Sequence, residues 1–460
     1  MFPAETYIKR RKKLHEQVVN GLILIPGNNE SPMNYPENPY PFRQDTSFLY
    51  YFGIDRPGLV AVMDLDENRE CIYGDDITVE DSVWMGPQTT LKELSGEVGV
   101  DSAEPLAQVA DIIKKAMQQG RTIHILPPYR QDTTLQLSDL LGIIPAELSS
   151  YISEPLIRAV VAQRSIKSPE EIEQIEMALE ISYETQILAM KKTAPGLYER
   201  DIVGAMEGRV LAKGSRMSFP TILTIHGQIL HNHDHSNLMN AGNMILNDSG
   251  VESPLHYASD ITRTFPVSGK FTDRQKEIYQ IVLQSQEHAI NMVKPGVEFR
   301  DVHFQASLQL AHGLKELGLM HGDMAQAVQA GAHALFFPCG VGHMLGLDVH
   351  DMEALGEDFI GYTDTIKRRP EFGWRSLRLA KALEPNYVVT VEPGIYFIPE
   401  LVRQWKQKNK FSEFIKYNEV EKFLNFGGIR IEDDVLVTSN GNRILEPLIP
   451  KTITELEAIC

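Results

Sequence analysis

The chain has 460 residues, of which 43% are hydrophobic and 23% charged, an ordinary composition for a folded globular protein. This length is too great for one compact core, so two or more domains are expected. The net charge of −18 argues against nucleic acid or an anionic membrane as the main partner, and no apolar run is long enough for a membrane span.

The cysteines and the N-terminus bear on the cellular compartment. Cys71, Cys339 and Cys460 are far apart and show neither metal-binding nor redox spacing, which favours a reducing, cytoplasmic compartment. Cys339, within the apolar run FFPCG, is interpreted as a small core residue. The N-terminal segment MFPAETYIKRRKKLHEQ lacks the apolar run of a signal peptide, and its basic residues are predicted to form the polar face of a first helix.

The first part of the chain alternates strand and helix patterns and predicts an α/β domain. Short apolar runs predict strands at GLILIPG, LVAVMDLD and RTIHILPP, and helical spacing predicts an amphipathic helix at AQVADIIKKAMQQ. The segment YPENPYPFRQDTSFLYYFGI is rich in proline and aromatic residues and is interpreted as an ordered loop. This domain contains no candidate ligand cluster, so we expect it to shape the site or the oligomer.

A strong helix start marks the beginning of a second domain. Ser168 is predicted to be the N-cap, Pro169 the first helical residue, and Glu171 the residue that closes a capping box. Apolar residues at helical spacing follow. We therefore place the boundary just before this helix, which gives domains at 1–163 and 164–460.

The second domain contains an internal repeat. The segments PGLYERDI and PGVEFRDV, which begin at Pro195 and Pro295, lie 100 residues apart and each precede an amphipathic helix. Thr272 and Gln275 predict a capping box for the helix that leads to the second copy. Two unrelated helix ends are the alternative, because Pro-Gly is a common breaker. The number of matching positions favours two half-domains related by a pseudo-twofold axis, with a site in the cleft between them.

Several hydrophobic segments of the second domain end in acidic residues or histidine, and together they predict one metal site. The candidate ligands are Asp248 in ILND, Asp260 in SDITRTF, His343 in GVGH, Glu392 in VVTVE and Glu432 in GIRIE. A buried charge is costly unless it is paired or bound to a cation. Each residue alone is more often a surface charge, but the whole set of four carboxylates and one imidazole favours a pair of divalent cations.

The spacing within these segments indicates how the ligands could converge. Asp248 and Asp260 are twelve residues apart, which suits two neighbouring strands joined by a loop. The glycines before His343 allow the backbone to approach a ligand closely. In the alternating strand GIRIEDD, Arg430 and Glu432 share one face, where Arg430 could orient Glu432 through a charge-assisted hydrogen bond.

The donor types indicate the metal and the chemistry. Mainly oxygen donors with one imidazole favour Mn²⁺, Co²⁺ or Fe²⁺ over structural zinc. Two such ions can activate a water that attacks a carbonyl, with Glu392 as the candidate general base. His350 follows His343 by seven residues, and HNHDHS contributes three further histidines beginning at His231, of which the last two are assigned to a polar loop.

These motifs resemble those of the pita-bread-fold metallopeptidases, and specifically the proline-directed branch of Xaa-Pro aminopeptidases (aminopeptidase P) and Xaa-Pro dipeptidases (prolidases). The similarity covers nearly the whole chain, including YPFRQDTSFLYYFG in the first domain. It implies an N-terminal α/β domain followed by an α+β pita-bread catalytic domain with a pseudo-twofold repeat. It also implies a homodimer or homotetramer.

The resemblance also implies a role for each candidate residue. Asp248 corresponds to a ligand of one metal, Asp260 and Glu432 to ligands that bridge both, and His343 and Glu392 to ligands of the second. The remaining implied roles are stabilisation of the tetrahedral intermediate by His231 in ILHN, contact with the substrate near the scissile bond by His350 in LDVHD, and supporting and substrate-side positions for Arg430 and Tyr396.

Two departures from the family pattern affect the predicted substrate. The separation of Asp248 and Asp260 is one residue longer than usual. The arginine that prolidases place between the last two ligands to bind a dipeptide carboxylate has no clear counterpart. Tyr417 or Asn418 falls near that position, and Arg403, Lys408 or Lys416 could replace it only by a shift of register.

The sequence therefore predicts a Xaa-Pro aminopeptidase with two divalent ions, first of all Mn²⁺, with Co²⁺, Zn²⁺ or Fe²⁺ as other occupants. Its predicted substrates are short peptides with proline at the second position. The main alternative is a Xaa-Pro dipeptidase restricted to dipeptides. A metal-free hydrolase and a non-catalytic binding protein on the same fold are further alternatives.

Overall fold

The structure, a computed structural model, describes residues 1–460 and divides into two compact units. The first unit comprises Met1–Arg164 together with Ala354–Phe359, and the second comprises Ser165–Glu353 together with Ile360–Cys460. None of the helices combines the length and the apolar character that crossing a membrane requires.

The first unit is built on one mixed sheet. Its strands are β1 (Leu22–Pro26), β2 (Val60–Asp64), β3 (Arg69–Tyr73), β4 (Ala103–Glu104) and β5 (Ile123–His124). Its helices are α1 (Ala4–Gln17), α2 (Thr46–Phe52), α3 (Val79–Met85), α4 (Leu91–Glu97), α5 (Gln108–Gln118), α6 (Gln131–Leu141) and α7 (Glu154–Arg164), with a 3₁₀ helix at Pro145–Tyr151. The strand order is β4-β3-β2-β1-β5, and β1 is antiparallel to β2 and parallel to β5. The predicted strands and the amphipathic helix α5 are confirmed.

Two predictions for this unit need correction. The segment interpreted as an ordered loop contains α2, because Asp45 caps its first turn by accepting a hydrogen bond from the Phe48 N–H at 2.9 Å, and Gly53 ends it at φ +64°. The basic residues of α1 do not all lie on a polar face. The guanidinium of Arg11 is buried and donates to the carbonyls of Tyr51 and Gly99, both at 2.9 Å, so it links α1 to two other segments.

The second unit contains four small sheets and the longest helices. Its helices are α8 (Pro169–Lys192), α9 (Glu199–Ala212), α10 (Asp273–Met292), α11 (Phe299–Glu316), α12 (Met324–Ala330), α14 (Pro399–Gln407), α15 (Tyr417–Val420) and α16 (Ile453–Ile459), while α13 (Glu357–Gly361) spans residues of both units. Its strands are β6 (Arg216–Met217), β7 (Ile222–Thr224), β8 (Met244–Ser249), β9 (Val251–Glu252), β10 (Ile261–Pro266), β11 (Val388–Val391), β12 (Gly394–Tyr396), β13 (Gly428–Arg430), β14 (Asp433–Val437) and β15 (Asn442–Ile444). Short 3₁₀ helices lie at Ala332–Leu335, Glu353–Leu355 and Glu421–Phe423.

The sequence repeat corresponds to a structural repeat. Gly196 and Gly296 both have positive φ, at +91° and +82°, and their N–H groups donate to the carbonyls of Met239 and Leu383, each at 2.9 Å. Each half then has a helix pair, α8 with α9 and α10 with α11, and a three-stranded sheet, ordered β10-β8-β7 in one half and β11-β14-β15 in the other. The predicted duplication is confirmed at the level of local structure.

Helix caps and strand pairing position the segments that carry the candidate ligands. The predicted capping boxes at the starts of α8 and α10 are present. In the sheet of the first half, β8 is antiparallel to β10, and Asp248 lies opposite Thr262. In the second half, β11 is antiparallel to β14, and Val391 lies opposite Asp433. The four candidate carboxylate ligands therefore lie at or next to the ends of paired strands, whereas His343 lies in a turn.

Candidate active site

A cavity of about 230 Å³ in the second unit brings nearly all candidate residues together. The predicted residues that line it are His231, Asp248, Asp260, His343, His350, Glu392, Arg430 and Glu432. Tyr396 is the one predicted residue outside this lining, and its hydroxyl accepts a hydrogen bond from Arg430 Nη1 at 2.9 Å. Residues separated by as many as 201 positions, from His231 to Glu432, thus face one space.

The two aspartates lie on adjacent strands, as the sequence spacing predicts. Asp248 is in β8, and Asp260 immediately precedes β10. Both residues are more than nine-tenths buried, and one carboxylate oxygen of each, Oδ1, has no hydrogen-bond partner. A buried carboxylate oxygen without a donor is costly, so these two atoms are suited to a cation.

Asp260, His343 and Glu432 form the tightest group of donors. One ligating atom from each lies within 4.8 Å of the others, and His343 Nε2 is 3.4 Å from Asp260 Oδ2. The other ring nitrogen, Nδ1, lies 3.0 Å from the carbonyl of Met344. Because that carbonyl can only accept a hydrogen bond, it favours the tautomer protonated at Nδ1 and leaves the Nε2 lone pair facing Asp260.

The Gly-rich turn before His343 packs against the strand that leads to Glu392. The N–H groups of Thr390 and Glu392 donate to the carbonyls of His343 and Val341, at 3.0 and 2.8 Å. A Cβ atom at Gly342 would lie 2.0 Å from the Thr390 carbonyl oxygen, so this approach requires glycine. Glu392 Oε1 consequently lies 3.7 Å from His343 Nε2.

Burial and mutual repulsion act on the carboxylates of this cluster. Burial, followed by the charge of Asp248, raises the pKa of Asp260 well above its usual range. Burial and then the charge of Asp260 raise the pKa of Glu432 in the same way, and burial raises the pKa of Glu392. Divalent cations remove this repulsion, so the oxygen-rich donor set fits such ions.

Arg430 makes the main fixed contacts of the site. Its Nη2 donates to Asp248 Oδ2, and its Nε donates to Thr262 Oγ1 at 3.0 Å. The Thr262 hydroxyl in turn donates to Glu432 Oε2 at 2.7 Å. The predicted direct hydrogen bond between Arg430 and Glu432 is therefore wrong, because Thr262 lies between them and Asp248 takes the guanidinium. The predicted strand GIRIEDD is likewise divided into β13 and β14.

The two histidines assigned to the substrate side differ in their surroundings. His231 lies in a turn after β7, and partial burial of its ring, followed by the charge of Arg430, lowers its pKa, which favours a neutral imidazole. His350 packs against His343 with ring centroids 4.3 Å apart, and its Nδ1 lies 2.6 Å from Glu353 Oε2. Burial, followed by the charge of His343, lowers the pKa of His350 to about 4.

Several residues of the site were not predicted from the sequence. The buried carboxylate of Asp434 accepts a hydrogen bond from the Asp260 N–H at 3.1 Å, and Thr262 connects Arg430 to Glu432. Asp434 follows the candidate ligand Glu432 by two positions, and Thr262 follows Asp260 by two. Residues two apart in a strand share a face, so this spacing could have indicated both. Cys339 lines the cavity and is only partly buried, which corrects its interpretation as a core residue. His233 also lines the cavity, within the predicted polar loop.

The second unit thus has the donor set and the cavity of a metal-dependent hydrolase. Comparisons with known proteins agree with this class. The family described as metallopeptidase family M24 matches residues 173–439, and the aminopeptidase P N-terminal domain matches residues 7–125. The chain belongs to metallopeptidase family M24.

Full-length relatives and solved structures are similar to the whole chain. The Xaa-Pro dipeptidase of Homo sapiens is 30% identical over 99% of this chain and 93% of its own length. The Xaa-Pro aminopeptidase of Escherichia coli (strain K12) is 30% identical over 99% of this chain and 97% of its own. The structure of Pseudomonas aeruginosa aminopeptidase PepP has a TM-score of 0.82 at 28% identity, covering 100% of this chain and 98% of that one. The predicted fold class and family are confirmed.

Proposed function

We propose that this chain is a Xaa-Pro aminopeptidase, which hydrolyses the bond between an N-terminal residue and a proline at the second position of a short peptide. The observation that carries the proposal is the single cavity on which the acidic donors, two substrate-side histidines and Arg430 converge. Full-length similarity to proteins named Xaa-Pro aminopeptidase supports the substrate class.

We propose that two divalent cations bind in this cavity, with Mn²⁺ as the first candidate and Co²⁺, Zn²⁺ or Fe²⁺ as others. The residues that would hold them are Asp248, Asp260, His343, Glu392 and Glu432. When bound, such ions lower the pKa of a water molecule and polarise a carbonyl group. The unpartnered Oδ1 atoms of Asp248 and Asp260 and the raised carboxylate pKa values support this assignment.

The remaining side chains are assigned roles in holding the substrate and moving protons. The carboxylate of Glu392 accepts the proton of the attacking water, and the raised pKa of this group suits a base. A neutral His231 donates a hydrogen bond to the developing oxyanion. His350 contacts the substrate near the scissile bond. Arg430 holds Asp248 in place, and the Tyr396 hydroxyl holds Arg430.

The distribution of cations supports an aminopeptidase over a dipeptidase. Arg430 is the only lysine or arginine that lines the cavity, and Asp248 already binds it. Arg403, Lys408 and Lys416, the residues considered as carboxylate binders, are exposed and do not line the cavity. A site without a cation for the C-terminal carboxylate accommodates longer peptides as readily as dipeptides.

A Xaa-Pro dipeptidase is the second candidate, and one further cation favours it. Arg378 does not line the cavity either, but it binds Glu353, which in turn contacts the cavity residue His350. The charge of Arg378 acts on His343, His350 and Glu392. If Arg378 were released from Glu353, its guanidinium could bind a dipeptide carboxylate. The similarity to the human Xaa-Pro dipeptidase also supports this candidate.

We also propose a cellular compartment, an oligomeric state and a domain division for this enzyme. We assign it to the cytoplasm on the basis of three free cysteines without redox spacing. A homodimer or homotetramer follows from the family resemblance. The division into an N-terminal domain at 1–163 and a catalytic domain at 164–460 remains a proposal of the same kind.

Hydrolysis of Ala-Pro-Ala and Ala-Pro at matched concentrations, both with added Mn²⁺, tests the proposed function. Cleavage of the tripeptide between alanine and proline supports the aminopeptidase. Cleavage of the dipeptide alone establishes the dipeptidase and directs attention to Arg378. If neither peptide is cleaved by a protein that binds the metal, the proposed substrate class is wrong.

A further inference from the structure

We propose that Glu353 determines substrate length, because its own carboxylate occupies the place between His350 and Arg378 that the C-terminal carboxylate of a dipeptide would take. The inference rests on the proposed function and gives its specificity a structural cause. Glu353 is a positioning and specificity residue here, and the catalytic groups remain those that line the cavity.

The geometry shows both oxygens of Glu353 engaged. Oε2 lies 2.6 Å from His350 Nδ1, and Oε1 lies 3.0 Å from Arg378 Nη1. The Glu353 N–H also donates to the His350 carbonyl at 3.1 Å, so a single turn fixes the two residues relative to each other. A carboxylate that receives one N–H from an imidazole and one from a guanidinium matches the contacts that a peptide C-terminus seeks.

Because of where Glu353 lies, the carboxylate of a bound peptide can compete with it for His350 and Arg378. Glu353 does not itself line the cavity, but the His350 ring that it contacts does, and this ring packs on the His343 ring. One residue, His350, therefore separates Glu353 from the candidate metal cluster. The side chains of Glu353 and Arg378 are 43% and 31% exposed, which leaves both accessible from solvent. The charge of Arg378 also acts on Glu392, which lines the cavity.

This arrangement of Glu353 disfavours dipeptides as substrates. A dipeptide has its carboxylate on the proline itself, within one residue of the scissile bond, so it must displace Glu353 or stand beside a like charge. A tripeptide moves its carboxylate outward by about 3.5 Å, the length of one extended residue. Glu353 therefore selects peptides of three or more residues while holding the Nδ1 side of His350.

Three substrates and three variants test this inference. The substrates are Ala-Pro, its C-terminal amide Ala-Pro-NH₂, and Ala-Pro-Ala, and the ratio of kcat/KM for Ala-Pro to that for Ala-Pro-NH₂ isolates the carboxylate. We expect Glu353→Gln to raise this ratio by about tenfold, mainly through KM, since tenfold is the change from one good charged contact. In the double variant with Arg378→Gln, the gain should vanish because the guanidinium is gone.

Glu371→Gln is a matched control. Glu371 binds Arg369 at 3.1 Å with side-chain exposures of 47% and 30%, close to those of the Glu353 pair, and neither residue lines the cavity. We expect its substrate ratio to equal that of the wild type. A general effect of removing a surface carboxylate would change both variants alike and would overturn the inference.

The remaining outcomes separate the inference from the proposed function. An unchanged ratio in Glu353→Gln overturns the inference and leaves the aminopeptidase intact. If the Gln variant folds but turns over none of the substrates, the dissociation constants of Ala-Pro and Ala-Pro-NH₂ from calorimetry give the same ratio and decide in its place. If the wild type cleaves no Xaa-Pro peptide, the proposed function fails, and the two dissociation constants still decide whether Glu353 excludes a carboxylate.

Discussion

Two buried clusters in the second unit contain polar atoms without hydrogen-bond partners, but they differ in charge and in access. In the candidate metal cluster, formed by the five proposed donors, Asp248 and Asp260 each present an unpartnered oxygen to a cavity. The second is an aromatic cluster of His303, His333 and Trp374. In it, His303 packs edge-on against Trp374, with ring centroids 5.0 Å apart, and both ring nitrogens of His303 lack partners.

The pKa shifts explain the difference between the clusters. Burial raises the pKa of Asp260, whereas burial followed by the charge of His333 lowers the pKa of His303 well below its usual range. The histidines become neutral and pack as aromatic core residues. Several carboxylates that face one cavity remain a source of repulsion, which a cation relieves. Unpartnered buried atoms therefore indicate a ligand where like charges meet at an accessible cavity.

The largest expected effect comes from removing a carboxylate of the candidate metal cluster. We expect Asp260→Ala or Glu432→Ala to reduce kcat/KM by about 10³-fold or more, because several kcal/mol of transition-state stabilisation depend on the bound ions. Elemental analysis of the purified variants should show loss of metal. Asp364→Ala, at a side chain that is 91% exposed, is the control. Wild-type turnover together with wild-type metal content in either variant would contradict the site assignment.

Loss of the Arg430 contacts is expected to cause the next largest decrease in kcat/KM. Arg430→Lys should lower kcat/KM by about 10- to 100-fold, the usual cost of losing an outer contact to a ligand. A lysine ammonium is a point charge and cannot reproduce the planar set of bonds to Asp248, Thr262 and Tyr396.

Arg369→Lys is the corresponding change at the aromatic cluster, where the guanidinium lies over the Trp374 ring at 4.2 Å. We expect it to leave kcat/KM near the wild-type value. Equal losses in the Arg430 and Arg369 variants would mean that general destabilisation, and not ligand positioning, explains the effect.

Added metal should distinguish the clusters by their effect on stability. At a Mn²⁺ concentration 100 times its Kd, the free energy of unfolding should rise by about 2.7 kcal/mol, because the ion binds only the folded state. Thermal unfolding with Mn²⁺ and with a chelator measures this difference. The stabilisation by Mn²⁺ should disappear in Asp260→Ala and persist in His333→Phe. Equal stabilisation of both variants would mean that the ion binds at another site.

The aromatic cluster should make the protein sensitive to acid. Burial lowers the pKa of His333 to about 3, so this residue takes up a proton more readily when unfolded. Its contribution to stability is complete above pH 6.5 and is lost as pH falls from 6.5 towards 3. Between pH 7 and pH 5 the loss is on the order of 2 kcal/mol.

Denaturant unfolding at pH 7 and pH 5 measures this loss. We expect His333→Phe to show a smaller decrease between the two pH values than the wild type. His312→Phe, at an exposed position of α11, should keep the wild-type decrease. An equal decrease in all three proteins would show that protonation of His333 does not contribute to acid unfolding.

Much of the fold was predictable because its signals are local. The capping residues Ser168 and Thr272 define helix starts within four positions, and the repeated Pro-Gly segments end equivalent turns at Gly196 and Gly296. The helix α2 was missed because its aromatic residues have modest helix propensity, and their burial in the first unit decides its conformation.

The candidate site was predictable to a similar degree. The candidate metal donors were proposed from acidic residues and a histidine that end hydrophobic segments, and the candidate roles of His231 and His350 from motif resemblance. The hydrogen-bond partners of those donors could not be predicted in this way. Arg430 binds Asp248, 182 positions away, and reaches Glu432 only through Thr262. No periodicity along the chain indicates which of two carboxylates a guanidinium will contact.

Hydrophobic periodicity, capping and strand-end charges act over a few residues, so the two α/β-containing domains, the internal repeat and the set of candidate metal donors could be inferred from the sequence. Three other contacts became known from the three-dimensional fold: Cys339 lines the cavity, Asp434 accepts a hydrogen bond from the Asp260 backbone, and Glu353 lies between His350 and Arg378. These contacts depend on which strands and turns meet in space, and that choice follows from burial of the whole core.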